Sequence, residues 1–501
     1  MVNMLLKYMT AVIIGLWAMQ SAHSEELGAI WGTAEEESKY YALVDIPIPA
    51  EVPMRPGSFD ILPDGRLAAG TRRGDVYFIS GAFEPEPNPV YHLFASGQDE
   101  IFGLAWKDES LTITQFGEVT RLTDTDGDGS ADRFDTLSNN WGYAEGHEFA
   151  FGSKHDPEGN IWVALGLSAS YHSRNLFRGW AVKVTPDGRM IPVCSGLRSP
   201  GGVGPNAEGA MFCIESQGPW NGSCSLKHLK PGGFLGHPAS YNWYPFVEGL
   251  DAPSVEPESN SRLLVEKKRV KELVPPAVLF PYIKMGRSIS GFRLNQTKGK
   301  FGPFENQLFF GDYTLSLIMR ATTEQINGVW QGACYPFREG LATGIMNVEF
   351  SPKGQLIAGG FTTNRQWPVR GEKPYAIQRL DWTGETPFEL QEINIRPDGF
   401  LLTFTLPVDP AIATKPGTYA ITTYTHKFSA GYGSPEVDHT TPTVRNAEVS
   451  PDGLSVRLKV EGLQESHIHD FDLAKMLGMN QQPLLHTKGY YTVNEIPLKN
   501  P

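Results

Sequence analysis

Five acidic side chains fall within twelve residues, Asp124-Thr125-Asp126-Gly127-Asp128-Gly129-Ser130-Ala131-Asp132-Arg133-Phe134-Asp135. Their spacing is that of a calcium loop. Asp124, Asp126, Asp128, Asp132 and Asp135 supply oxygens, Gly129 allows the sharp turn, and Ser130 offers its carbonyl. Carboxylates gathered so closely repel one another unless a hard cation lies among them. Asp135 stands where a longer, bidentate Glu is usual, and nothing reactive lies in the loop. A structural calcium is the expectation.

Other candidates carry less. The four cysteines are Cys194, Cys213, Cys224 and Cys334. An even number permits disulfides in an oxidising compartment, with Cys213 and Cys224 one candidate pair and all three connectivities open. No Cys-x-x-Cys spacing occurs, which excludes the usual zinc ribbons and covalent c-type haem. His155, His172 and His237 are too scattered to define a metal site. Trp220, Tyr241, Trp243 and Tyr244 would either stack on sugars or pack between strands.

The elements that must position these residues read as short strands. A chain of 501 residues exceeds one hydrophobic core, so at least two domains are expected. Its 53 Gly and 38 Pro suit many strands joined by tight turns. A unit of strand, Pro-Asp-Gly-like turn and strand recurs, most clearly at 59–79, 151–165 and 348–360. Weaker copies lie at 103–122, 202–216 and 306–321, giving six in all. Pro presets the turn and Gly takes the positive φ. Repetition of this kind argues for an all-β, six-bladed propeller over 25–385 rather than a jelly roll. The polar stretch 251–272 reads as an exposed insertion. Alternating strands without the propeller spacing fill 386–501, expected to be a small immunoglobulin-like β-sandwich.

Residues 1–24 have the plan of a signal peptide: Lys7, an apolar run over 9–19, and small residues Ala22 and Ser24 before the cleavage point. The run is too short to span a bilayer. A periplasmic or secreted protein, with no transmembrane span in the mature chain, is expected. The net charge of −13 excludes an electrostatic grip on nucleic acid.

Two further stretches carry a family likeness. The first is Gly146-His147-Glu148-Phe149-Ala150-Phe151-Gly152 with Pro157-Glu158-Gly159-Asn160-Ile161-Trp162. The second is Gly196-Leu197-Arg198-Ser199-Pro200-Gly201-Gly202, then Glu215-Ser216-Gln217-Gly218-Pro219, then Lys230-Pro231-Gly232-Gly233-Phe234. Over roughly 55–370 the chain resembles the glucose/sorbosone dehydrogenases, soluble quinoprotein propellers. It is most similar to a divergent exported branch described as membrane-bound dehydrogenases. The resemblance implies pyrroloquinoline quinone (PQQ) held through calcium on the axis. His147 would be the catalytic base and Arg198 would lie against the cofactor. Gln217, Gly218 and Pro219 would hold the cofactor's calcium, and Arg287 would stand near a cofactor-binding lysine. Electrons would pass to a separate carrier protein.

The chain also departs from that family. Trp220-Asn221-Gly222 replace acidic residues after Gln-Gly-Pro, and Gly344 and Met346 stand where two arginines should pair with PQQ carboxylates. The leading expectation is an oxidoreductase acting on an aldose or related carbohydrate. The alternatives are a non-catalytic carbohydrate-binding propeller, or a lyase or hydrolase using the same axial pocket.

Overall fold

The computed structural model describes residues 30–144, 146–363 and 368–498; the signal-peptide expectation for 1–24 lies outside them. The protein is all-β. The Pro-Asp-Gly turns form as their residue types dictate. At Leu62-Pro63-Asp64-Gly65 the Gly65 N–H donates to the Leu62 carbonyl (2.9 Å), with Gly65 at φ +88°. Asp64 accepts from the Arg66 N–H at 3.0 Å and locks the bend.

Each repeat becomes one four-stranded antiparallel blade, and there are six. The first runs Pro56–Ile61, Leu67–Thr71, Val76–Ser80, Val90–Ala95, and the second begins at Gly103–Lys107. The third begins at Ala150–His155, the fourth at Pro200–Pro205, the fifth at Ile289–Leu294 and the sixth at Ile345–Phe350. The six leading strands pack side by side in a closed ring, the last against the first. The sixth blade is completed from the far end of the chain. Tyr41–Asp45 pairs with Tyr375–Trp382, Tyr41 opposite Trp382 and Asp45 opposite Gln378.

Convergence at the axis leaves no room for side chains. A Cβ on Gly103 would sit 2.8 Å from the Gly152 Cα, and one on Gly202 would sit 2.8 Å from the Gly291 Cα. Glycine is required there by close backbone approach.

Beyond the propeller, Leu390–Arg396, Gly399–Phe404, Ser455–Glu461 and Thr443–Val449 form one sheet. Ala420–Phe428, His467–Asp472 and Lys488–Val493 form a second, which is continuous with the fifth blade: Lys488–Val493 pairs with Val329–Arg338. Ala333 and Tyr335 of that blade therefore belong to the same buried cluster as Phe400, Leu458 and Phe471 of the sandwich. Arg320 crosses the junction fully buried, donating to the Leu390 carbonyl at 2.6 Å and lying over the Tyr335 ring.

The stretch 251–272, expected to be an exposed insertion, is exposed over most of 251–260 and is anchored beyond it. Ser261 and Arg262 pair with Phe428 and Lys427, and the short helix Leu263–Arg269 follows. Its Lys267 donates to the Asn494 carbonyl at 2.9 Å. The partners of these polar groups lie more than 150 residues away, beyond reach of any local reading of the sequence.

Among the described residues no helix is long and apolar enough to cross a membrane.

His486 ties the amino-terminal segment to the sandwich. Its Nδ1 is 2.6 Å from Glu389 and its Nε2 is 2.9 Å from Glu37. Burial alone would lower its pKa, but the two carboxylates outweigh it and raise it to about 9. A raised folded-state pKa gives stability that is complete below the unfolded value near 6.5 and is lost as pH rises through about 9. The shift corresponds to about 3 kcal/mol. Chemical denaturation across pH should show the native protein losing stability between pH 6.5 and 9, with much of that slope absent in His486→Gln.

Candidate functional site

The turns entering the blades at one end of the axis enclose a pocket of about 280 Å³. Arg72, His147 and Arg198 line it, with aromatic walls from Phe102, Phe149 and Tyr313, and among the described residues no Asp or Glu lines it. Tyr432, from the sandwich, closes one side.

His147 precedes the leading strand of the third blade and holds φ +72°, a left-handed conformation that is strained for a non-glycine residue. Its carbonyl lies over Gly166, where a Cβ would come within 2.8 Å. The neighbouring Glu148 does not face ligand space. Its fully buried carboxylate accepts from Ser168 Oγ, from Asn175 Nδ2 at 2.6 Å and from the Ala144 N–H at 2.6 Å. Arg178, also fully buried, donates to the carbonyls of Gly142 (2.7 Å), Phe116 (2.9 Å), Phe149 (3.1 Å) and Glu148. Burial brings its pKa down to about 10, leaving it a cation at neutral pH. One buried fork thus fixes the loop that carries His147. Burial first, and then the Arg198 and Arg72 cations, hold the His147 imidazole below its ordinary pKa of 6.5. At neutral pH it is an uncharged proton acceptor.

Arg198 is placed by a second buried device. Glu215 accepts its backbone N–H at 2.5 Å and that of Ser199 at 3.1 Å. Lys227, also buried, neutralises Glu215 at 2.5 Å and donates to the Leu235 carbonyl at 2.9 Å. The Arg198 guanidinium donates through Nη1 to the Gln217 carbonyl at 2.7 Å and lies over the Tyr432 ring at 5.1 Å.

The other cofactor positions are not brought into the pocket. Gln217, Gly218, Pro219 and Arg287 do not line it. The Gln217 carbonyl is taken by Arg198, and the Gly218 carbonyl accepts from the N–H groups of Asn221 (3.1 Å) and Gly433 (3.2 Å). Pro219 bridges to Tyr432. Arg287 sits beside Tyr282, its backbone N–H on Asp312 at 2.7 Å. At Gly344 a Cβ would come within 2.5 Å of the Tyr313 carbonyl, so no cation fits there, and Met346 is uncharged pocket wall. A turn with occupied carbonyls, set outside a pocket with no carboxylate among its described lining residues, does not suit a calcium-held quinone.

In the acidic loop, Asp124, Asp126 and Asp128 bring their oxygens within 4.8 Å of one another. Asp132 and Asp135 turn away. Asp132 accepts from the Thr125 N–H (3.0 Å) and hydroxyl (2.7 Å), and Asp135 pairs with Arg133 at 2.9 Å. The Ser130 N–H donates to Asp128 at 2.8 Å. Three carboxylates of the expected five therefore gather, on an exposed loop of the second blade.

The remaining candidates resolve as structure. All four cysteines are buried free thiols, so the Cys213–Cys224 pairing is not formed. Cys213 faces Lys227 across its sheet and Cys224 faces Phe280, on different registers. Burial pushes the Cys224 thiol up to about 12, leaving it unreactive. His237 caps the 3-10 helix Pro238–Phe246, accepting from the Ala239 N–H at 3.2 Å. Trp220 packs on Phe428, Tyr244 on Trp180, and Tyr241 on Phe234. That aromatic group is core packing.

Sequence reasoning missed Arg72, Arg178, Lys227 and Tyr432. Arg72 sits in the Thr71-Arg72-Arg73-Gly74 turn of the clearest repeat, a signal that was there to be used. Tyr432 carried none.

A family model described only as a domain of unknown function (DUF7133) matches residues 91–260. No curated protein matches. Solved structures of similar shape include a PQQ-bound aldose sugar dehydrogenase from Streptomyces coelicolor (15% identity, 68% of this chain, 98% of that one, TM-score 0.46). A pyranose dehydrogenase PQQ domain from Coprinopsis cinerea gives 10% identity, 68% and 95% coverage, and TM-score 0.46. An AA12 carbohydrate-active enzyme from Trichoderma reesei gives 11% identity, 68% and 96% coverage, and TM-score 0.48. Likeness at this level says nothing about substrate or cofactor, and the chemistry is read from the pocket's own residues.

Two outcomes follow. Arg178→Met orphans several buried carbonyls and should cost about 3 kcal/mol or more in denaturant unfolding; a cost below 1 kcal/mol would contradict its clamping role. Calcium should raise the unfolding midpoint, by about 2.7 kcal/mol at a hundredfold excess over its Kd, and Asp126→Asn should reduce the gain. No calcium effect would make the three aspartates a solvated turn.

Proposed function

We propose that the protein is a sugar-directed, oxidoreductase-like enzyme whose axial pocket takes a proton from a sugar hydroxyl through His147. The observation that carries this reading is a neutral imidazole held on a strained, rigidly clamped backbone at the wall of an aromatic-walled axial pocket. A base must be unprotonated at working pH and fixed within reach of its proton. Burial with the field of two arginines supplies the first condition, and the Arg178 clamp the second.

The aromatic walls suit the apolar faces of a pyranose ring, and Ser170, Ser199, Ser216, Ser288 and Ser290 offer hydroxyl partners for its oxygens. Arg198 would stabilise the alkoxide left when the proton moves to His147. The calcium turn of the quinoprotein family is closed here, so the electron acceptor would enter from solution or from a separate carrier. An exported location and a structural calcium at Asp124, Asp126 and Asp128 belong to the same proposal.

The closed turn also favours a second reading, in which His147 serves as the base of a lyase or hydrolase in the same pocket. One assay separates the two. The full-length protein is incubated with a panel of aldoses, sugar acids and oligosaccharides and a redox dye, with and without added PQQ and calcium. Sugar-dependent dye bleaching that is lost by at least 100-fold in His147→Ala is the expected result. New reducing ends or unsaturated products without bleaching would establish the second reading. No turnover on any sugar would overturn both.

A further inference from the structure

Arg198 is only 5% exposed, yet among the described residues no carboxylate lies within ion-pairing distance of its guanidinium. Its partners are one carbonyl and one aromatic ring, and its Nε has no acceptor. Glu215, the acid adjoining it, spends its charge on Lys227. A buried cation without a counter-ion is costly, and no acid among the pocket's lining residues answers it. A ligand that carries a negative charge would answer it.

The ring beneath this cation comes from outside the propeller. Tyr432 sits on the loop that follows Ala420–Phe428 of the sandwich, and that loop is pinned to the fourth blade at several points. The Trp220 N–H donates to the Ser429 carbonyl at 2.6 Å, the Gly433 N–H to the Gly218 carbonyl at 3.2 Å and the Ser434 N–H to the Gly222 carbonyl at 3.2 Å. The Ala430 N–H donates to Ser259 Oγ at 3.0 Å. Despite these anchors Tyr432 remains 47% exposed, with its ring at the pocket wall. An aromatic side chain held this firmly and still exposed is placed to be touched by ligand.

We propose that Arg198 and Tyr432 together form a metal-free subsite for the carboxylate of a ring-shaped sugar acid. The proposal rests on the sugar-directed reading above and narrows its substrate class. Arg198 would engage the carboxylate through the fork geometry that suits that group, and Tyr432 would hold the guanidinium plane and pack against the sugar. Arg72, whose Nε is already paired with Glu100 at 2.7 Å, contributes to the field without being the anchor. The pocket volume of about 280 Å³ admits one sugar residue rather than a long chain. On this account the carboxyl-terminal sandwich contributes a wall of the site.

The test is calorimetric titration of the full-length protein in EDTA with D-glucuronate, D-glucose and inorganic phosphate. Glucuronate should bind at least 10-fold more tightly than glucose. Arg198→Gln should weaken glucuronate roughly 10- to 100-fold and leave glucose nearly unchanged. Tyr432→Ala should weaken glucuronate and Tyr432→Phe should restore it; this exposed position also decides the matter if Arg198→Gln fails to fold. Equal affinity for the two sugars, binding that requires calcium although the fold stays intact in EDTA, or phosphate binding without glucuronate binding would each overturn the subsite. The dye assay keeps the two proposals apart. Turnover of neutral aldoses without preference for the acid sinks the subsite alone. Tight glucuronate binding without turnover of any sugar sinks the enzymatic reading alone.

Discussion

Close approach of six backbones around one axis is the constraint on which the rest depends. Gly103 against Gly152 and Gly202 against Gly291 leave no space for a Cβ, so the leading strands converge and their entering turns are driven together at one end. The pocket residues from the propeller sit at the starts of the leading strands or at the ends of the second strands, such as Arg72 and Tyr313. Tyr41–Asp45 returns to complete the outer edge of the sixth blade, so one sheet joins the amino-terminal segment to the last blade.

Two buried charged devices convert that geometry into a chemical site. Arg178 spends its guanidinium on the carbonyls of the His147 loop, and the Lys227–Glu215 pair spends its carboxylate on the backbone of Arg198. Neither device reaches ligand space, and both fix what does. The result is a neutral base opposite an uncompensated cation, assembled without a metal. Arg198 Nη1 and the Gly433 N–H occupy the carbonyls of Gln217 and Gly218. These hydrogen bonds compete with any calcium for the carbonyls of the Gln-Gly-Pro turn.

The repeat and its turns were legible because they are local: Pro63-Asp64-Gly65 and Pro186-Asp187-Gly188 both bend with glycine at positive φ, as their residue types require. His147 and Arg198 were legible through motifs around them, and the structure brings both to one pocket. Polar pairings over long sequence separations were not legible. The anchored part of the stretch 251–272 looked exposed because its partners at Phe428 and Asn494 are remote, and Tyr432 reaches the pocket only through a hairpin of the second sheet. The acidic loop shows a subtler limit. Spacing placed five carboxylates in order, but Asp132 and Asp135 found Thr125 and Arg133 instead.

The central claim is electrostatic: burial, reinforced by the Arg198 and Arg72 cations, keeps His147 unprotonated. Its most direct test is NMR titration of the His147 imidazole in the native protein and in Arg198→Gln and Arg72→Gln. The account predicts a native pKa below 6.5 that rises when either guanidinium is removed, more for Arg198. A native value at or above 6.5 that neither substitution moves would contradict it.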